Sequence, residues 1–242
     1  VWGHAIGGMG AISEAIATEC RARGVVIDTA AEVAQVLVED GRAVGVALAD
    51  GRTLRAGVIA SNLNPKLLYT RLVAPEHLDE DTTARIRRYR CGSGTFRMNV
   101  ALSELPDFRA APGTTLQPHH QSGILIGDSL GYFERAYFDA KSREHNPGWA
   151  RAPVVELVIS STLDDSLAPP GQHVASLFCQ HVNPVIREAD GGWDAHRDTV
   201  AQLMIDTVDA QAPNFARSVL GYDALTPLDL ERRLGLVGGD IF

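Results

Sequence analysis

The sequence predicts an α+β fold in two parts, a helix with an antiparallel meander over residues 1–65 and a mixed β-sheet flanked by helices over residues 66–242. Three observations predict it. The loop Gly7-Gly8-Met9-Gly10 runs straight into apolar residues at helical spacing. Apolar and polar residues then alternate around the turn pairs Asp40-Gly41 and Asp50-Gly51. Beyond Pro65, strand-length and helix-length stretches follow without the regular βαβ alternation that a parallel sheet requires.

In chain order, Ala11, Ile12, Ala15, Ile16 and Cys20 form one helical stripe, and Gly24 stands where a left-handed C-terminal cap is expected. Residues 25–28 read as a short strand. Ala34, Val36 and Val38, then Val44, Val46 and Leu48, alternate with polar residues, so two hairpins in tandem make a meander. Residues 58–60 are wholly apolar, as in a strand buried on both faces, and Asn64-Pro65 stops that strand before a new helix. The first domain boundary is placed there. An uncovered edge on 58–60 would invite pairing, which predicts a homo-oligomer. Strands are then expected near 95–102, 123–126, 154–159 and 173–181, and helices near 82–89, 130–143 and 195–211. The last helix is the clearest: Val200, Leu203, Met204, Thr207 and Val208 form a stripe, with Asp194 as N-cap and Pro213 as stop.

Composition narrows the function. The 242 residues carry 22 Lys and Arg against 30 Asp and Glu, a net charge of −8 without acidic runs, which disfavours nucleic acid and anionic membrane surfaces as partners. No apolar run reaches the roughly 20 residues that span a bilayer. Three scattered cysteines, Cys20, Cys91 and Cys179, argue against a disulfide framework and for a reducing compartment, so a cytoplasmic location is expected.

Few polar residues suggest chemistry. His119-His120 lies in a Pro/Gln/Ser loop and reads as a solvated pair. His173 and His181 share a strand face about 26 Å apart, too far for one metal, and Cys179 with His181 lacks further ligands, so no metal site is assigned. Asp164-Asp165, before Pro169-Pro170-Gly171, reads as a capping or turn element rather than an acid–base pair. Gly92-Ser93-Gly94 falls short of the G-x-S-x-G nucleophile elbow. Phe96, Tyr132, Phe133, Tyr137 and Phe138 are candidates to line an apolar pocket or to fill the core. No catalytic residue is assigned.

Residues 7–17, the meander and residues 59–65 resemble the middle of the phytoene (carotenoid) desaturase-like branch of the flavin-dependent amine oxidase superfamily. Residues 93–108 (SGTFRMNVALSELPDF), 161–182 (STLDDSLAPPGQHVASLFCQHV) and 226–242 (TPLDLERRLGLVGGDIF) are similar to its phytoene dehydrogenase-related members. The resemblance implies FAD as cofactor and a hydrophobic small-molecule substrate that gives hydride to the flavin. It implies that the Val33 backbone meets the FAD adenine, with Val36 as the nearest competitor, and that Ser61 and Asn62 pass near the cofactor. Gly7, Gly8 and Gly10 would then stand at the flavin–substrate junction. The family's GxGxxG strand-turn-helix does not occur in this sequence. The chain, opening at Val1, is therefore expected to be the central piece of a longer enzyme, with no tight FAD binding or turnover of its own. The alternative is a non-catalytic binding or assembly module with a degenerate cofactor site.

Overall fold

The computed structural model describes residues 3–142 and 148–241. It contains two compact units, one of residues 17–91 and one of the residues up to 16 together with 92 onward. Helix α1 (Gly10–Ala22) starts directly after Gly7 and Gly8, whose φ angles of +86° and +82° are open to glycine without strain. It ends as anticipated: Gly24 adopts φ +82°, and the Val25 N–H reaches back 3.0 Å to the Cys20 carbonyl. The helical stripe is present, yet no residue of α1 is buried, and Ile16 remains 60% exposed.

In the unit of residues 17–91, strands β1 (Val33–Glu39), β2 (Arg42–Leu48) and β3 (Thr53–Arg55) form an antiparallel sheet in the order β1-β2-β3. Asp40 and Gly41 both take positive φ, the requirement of a two-residue turn whose twist matches its strands. Arg52 closes the second turn by donating from its N–H and its guanidinium to the Asp50 carboxylate at 3.0 and 2.7 Å. Two strand expectations fail. Residues 25–28 and 58–60 join no ladder, and Val58 is 83% exposed. Their apolar composition suits a buried strand, but a strand exists only where a neighbouring strand takes its N–H and C=O groups, and among the described residues neither segment has one. With no strand at 58–60, the exposed edge expected to drive self-association is also missing. The one-turn helix α2 (Pro65–Leu67) follows Asn64, whose side chain accepts from the Lys66 N–H at 2.9 Å, and α3 (Glu80–Arg88) is capped by Asp79 through the Thr82 N–H at 2.7 Å.

From Gly92 onward the chain builds a five-stranded sheet from β4 (Thr95–Leu102), β5 (Ile124–Ile126), β6 (Trp149–Val158), β7 (His173–Val182) and β8 (Val219–Leu225), in the order β5-β6-β7-β4-β8. A mixed sheet was expected; every ladder is antiparallel, because the two consecutive strands that run parallel, β7 and β8, are kept apart by β4 between them. Helix α4 (Leu130–Ser142) ends inside the expected 130–143 span, whose last residue, Arg143, lies outside the described residues. Alternation sorts the strand residues. Phe96, Met98, Val100 and Leu102 of β4, with Leu177 and Cys179 of β7 and Val155 and Leu157 of β6, face one core. Helix α5 (Gly192–Asp209) seals it with Val200, Met204 and Val208, all fully buried, each burial worth roughly 2 kcal/mol. Asp194 is not its N-cap: the helix starts earlier, after Gly191 at φ +89°, and Asp194 falls in the first turn. The chain ends through a short turn, α6 (Phe215–Ser218), then β8 and α7 (Pro227–Leu234), with Thr226 and Asp229 capping α7 reciprocally.

Candidate functional site

The glycine loop is held by a carboxylate. The Gly7 and Gly8 N–H groups both donate to Asp164 Oδ2, at 2.7 and 3.3 Å, and the Ser166 hydroxyl and N–H donate to Asp164 Oδ1 at 2.6 and 3.0 Å. The residue is 2% exposed. The Ser166 hydroxyl chiefly, with the backbone N–H groups of Ser166, Gly7 and Gly8 behind it, holds this carboxyl below the usual range, outweighing desolvation. His4 Nε2 stands 3.9 Å from Asp164 Oδ2. The turn role read for Asp164 is thus correct and wider than the sequence implied, since it reaches 157 residues back along the chain. Two N–H groups at a loop that opens a helix form an anion cradle; here Asp164 fills it. Gly10 is the first residue of α1 and is exposed.

Val33 opens β1, which is an edge strand. It faces Leu48, and the next hydrogen bond runs from the Ala49 N–H to the Glu32 carbonyl at 2.8 Å. That places Val33 at a non-hydrogen-bonded position, with its own N–H and C=O turned to the free edge. An unpaired donor beside an unpaired acceptor is what a purine edge needs, so the backbone fits the adenine end of FAD. The Gly7 and Gly8 N–H groups do not fit its pyrophosphate, because Asp164 already takes them. Ser61 and Asn62 are exposed, with Ser61 Oγ accepting from the Leu63 N–H at 3.2 Å.

On the sheet, the face opposite α5 carries Arg97 and Asn99 of β4, Ser176, Phe178 and Gln180 of β7, and Glu156 and Val158 of β6. None of these is buried. The Arg97 guanidinium lies 5.1 Å over the Phe178 ring and donates to Ser176 Oγ at 3.1 Å. Burial pulls its pKa down, against the pull of nearby Cys179 and Glu156. Helix α4 covers one end, where Ala136 packs on Ala150 and Val154, flanked by Tyr132 and Phe133. Phe96 is core and touches Trp193, whereas Tyr137 and Phe138 are 43% and 64% exposed.

The histidine pair is not a solvated pair throughout: His119 is partly exposed and His120 is buried. His120 is fully buried; the Gln117 N–H donates to its Nδ1 at 3.2 Å, so its Nε2 carries the proton given to the Pro106 carbonyl at 2.9 Å. The centroids of the two rings lie 4.0 Å apart, with their planes tilted by 45°. A Pro/Gln/Ser loop suggested solvent, but the loop folds back on Phe108, a contact no local pattern announces. Ser93 is also engaged, donating from Oγ to the Gly239 carbonyl at 3.0 Å. Burial pushes the Cys179 thiol up, away from any nucleophilic role. Among the described residues no three His, Cys, Asp or Glu side chains gather as a metal site, and no helix is long and apolar enough to cross a membrane.

No protein-family model matches the chain. Pyridine nucleotide-disulfide oxidoreductase domain-containing protein 2 of Mus musculus is 40% identical over 247 residues, and that of Rattus norvegicus 41% over 248; each match covers 100% of this chain and 42% of the relative. A 4,4'-diapophytoene desaturase from Methylomonas sp is 26% identical over 86% of this chain and 37% of its own length. A crystal structure of an oxidoreductase from Methanosarcina mazei shares the fold over 91% of this chain and 43% of its own, with a TM-score of 0.58 at 19% identity. From end to end, the chain is similar to the phytoene desaturase-related proteins represented by pyridine nucleotide-disulfide oxidoreductase domain-containing protein 2, and it spans about two-fifths of their length.

Proposed function

We propose that this chain forms the central part of an FAD-dependent oxidoreductase that removes hydride from a hydrophobic substrate. The observation that carries the reading is the match at 40% identity along the whole chain to an oxidoreductase domain-containing protein, with desaturases more remotely similar. In this reading residues 1–65 serve the flavin side and residues 66–242 the substrate side. Bound FAD would accept hydride at its N5. The Val33 N–H and C=O would hold the adenine edge, while Ser61 and Asn62, small and exposed, would let the chain pass close to the cofactor. Asp164 fixes Gly7 and Gly8 in one conformation, so that the loop and Gly10 would present a rigid wall where flavin and substrate meet. The open sheet face supports a substrate wall, since the core packs between the opposite face and α5.

Replacing Val33 by Pro removes the N–H on the free edge and leaves the β1–β2 ladder bonds in place. In the full-length gene product, Val33→Pro should weaken FAD binding at least about tenfold, the worth of one buried hydrogen bond. A variant that folds and binds FAD as the parent does would remove Val33 from the site.

A further inference from the structure

Arg97, on the open face of the sheet, has no counter-ion among the described residues. Strand register sets Leu125, Glu156, Phe178, Arg97 and Leu225 in a single row across β5, β6, β7, β4 and β8. Neighbouring strands lie about 4.8 Å apart, so Phe178 and Leu225 flank Arg97 directly and Glu156 stands one strand further off. The Arg97 side chain is half-buried, and the Phe178 ring beneath it and Ser176 Oγ beside it fix the guanidinium plane. The bond to Ser176 uses one N–H. The remaining N–H groups have no acceptor among the described residues.

Arginines elsewhere in the chain are paired. Arg52, Arg187, Arg197 and Arg233 each meet an Asp carboxylate, at 2.6, 2.6, 2.7 and 3.0 Å. An exposed pair adds little, because water already solvates both ions, whereas a half-buried cation has lost part of that water and has more to gain from a partner. Desolvation is accordingly the chief cause that lowers the Arg97 pKa, with Cys179 and Glu156 opposing it. The acids on this face are engaged elsewhere: Gln180 Nε2 donates to Glu156 Oε1 at 3.4 Å, and Asp223, opposite Asn99, is held by Arg233 at 3.0 Å.

These neighbours define the chemistry of a matching ligand. A planar fork with free N–H edges fits a carboxylate through parallel bonds. A single cation beside Glu156 and Asp223 suits one negative charge and disfavours a polyphosphate. Phe178, Leu225 and, at the end of the row, the 53% exposed Leu125 offer apolar contact to the rest of the ligand. We propose that Arg97 anchors the carboxylate of a substrate that is an apolar monocarboxylate. The proposal rests on the reading of this face as the substrate wall, and it narrows the hydrophobic substrate to one with an acidic end.

The test is calorimetry at neutral pH on the full-length gene product, with decanoate, 1-decanol and decylammonium as probes. Decanoate should bind at least about tenfold more tightly than 1-decanol, a difference of ~1.4 kcal/mol, and decylammonium more weakly than either. That order is read on the parent protein alone. Arg97→Met should abolish the preference for decanoate and leave the 1-decanol affinity within about twofold, while Arg97→Lys, which keeps the charge but not the fork, should retain only part of the preference. No binding of decanoate, equal affinity for acid and alcohol, or a preference that survives Arg97→Met would each overturn the proposal. Flavin absorbance of the same sample keeps the two claims apart: protein that holds FAD without preferring decanoate loses the anchor alone, whereas colourless protein that prefers decanoate through Arg97 loses the flavin reading and retains the anchor.

Discussion

Asp164 shows how one side chain can set a loop far away in sequence. Its four donors are aimed at a carboxylate, so Asp164→Asn should turn an amide N–H toward the Gly7 and Gly8 N–H groups and release them. Amide exchange at Gly7 and Gly8 should quicken by at least about tenfold; unchanged exchange would deny the tether. The pH dependence follows from the sign of the shift. The folded carboxyl is depressed below its ordinary value of 3.8, so its contribution is complete above that value and is lost as pH falls through the lower folded pKa. The stability gap between the parent and Asp164→Asn should therefore be constant near neutrality and close only in strong acid. Asp229 is a second such residue: Arg197 donates to both its oxygens at 2.7 and 3.0 Å, and Thr226 adds its N–H and hydroxyl. Asp229→Ala removes the N3 half of the capping box and leaves Arg197 to Asp194, at 3.3 Å, and to solvent, which should cost about 1 to 2 kcal/mol in denaturant unfolding.

At the scale of elements, α5 separates the core from a cavity lined in part by its Leu203. Met204→Ala should cost about 2 to 4 kcal/mol, the usual result at a fully buried site. Leu203→Asp should lower the melting temperature less than Met204→Asp, since Leu203 borders open space; the reverse order would mean the cavity is closed. The same helix shows what a sequence can reveal. Its stripe was legible because 3.6-residue periodicity is local, as was the period of two in β4, where Phe96, Met98, Val100 and Leu102 alternate inward. Strand β8 was not legible: Gly221 and Asp223 break its apolar pattern, and only the ladder with β4 holds it. Residues 58–60 failed the other way, apolar enough for a strand but unpaired. The burial of His120 and the grip of Asp164 on Gly7 were equally hidden, because each depends on contacts distant in sequence.

For the whole molecule, the two backbone stretches that bear on a flavin differ in kind. The adenine end has a backbone that fits, at Val33, while the cradle at Gly7 and Gly8 is filled by the protein's own carboxylate. Titration of this 242-residue chain with FAD should therefore leave flavin fluorescence unchanged, because one edge contact does not offset the loss of freedom of so large a ligand. Strong quenching with one-to-one stoichiometry would reveal a pyrophosphate site on this chain. The central claim, that the chain serves a flavoenzyme, is tested most directly by the flavin content of the full-length gene product after reconstitution with FAD. One tightly held FAD per chain, bleached anaerobically by a hydrophobic substrate, is the expected result; a folded protein that stays colourless would contradict it.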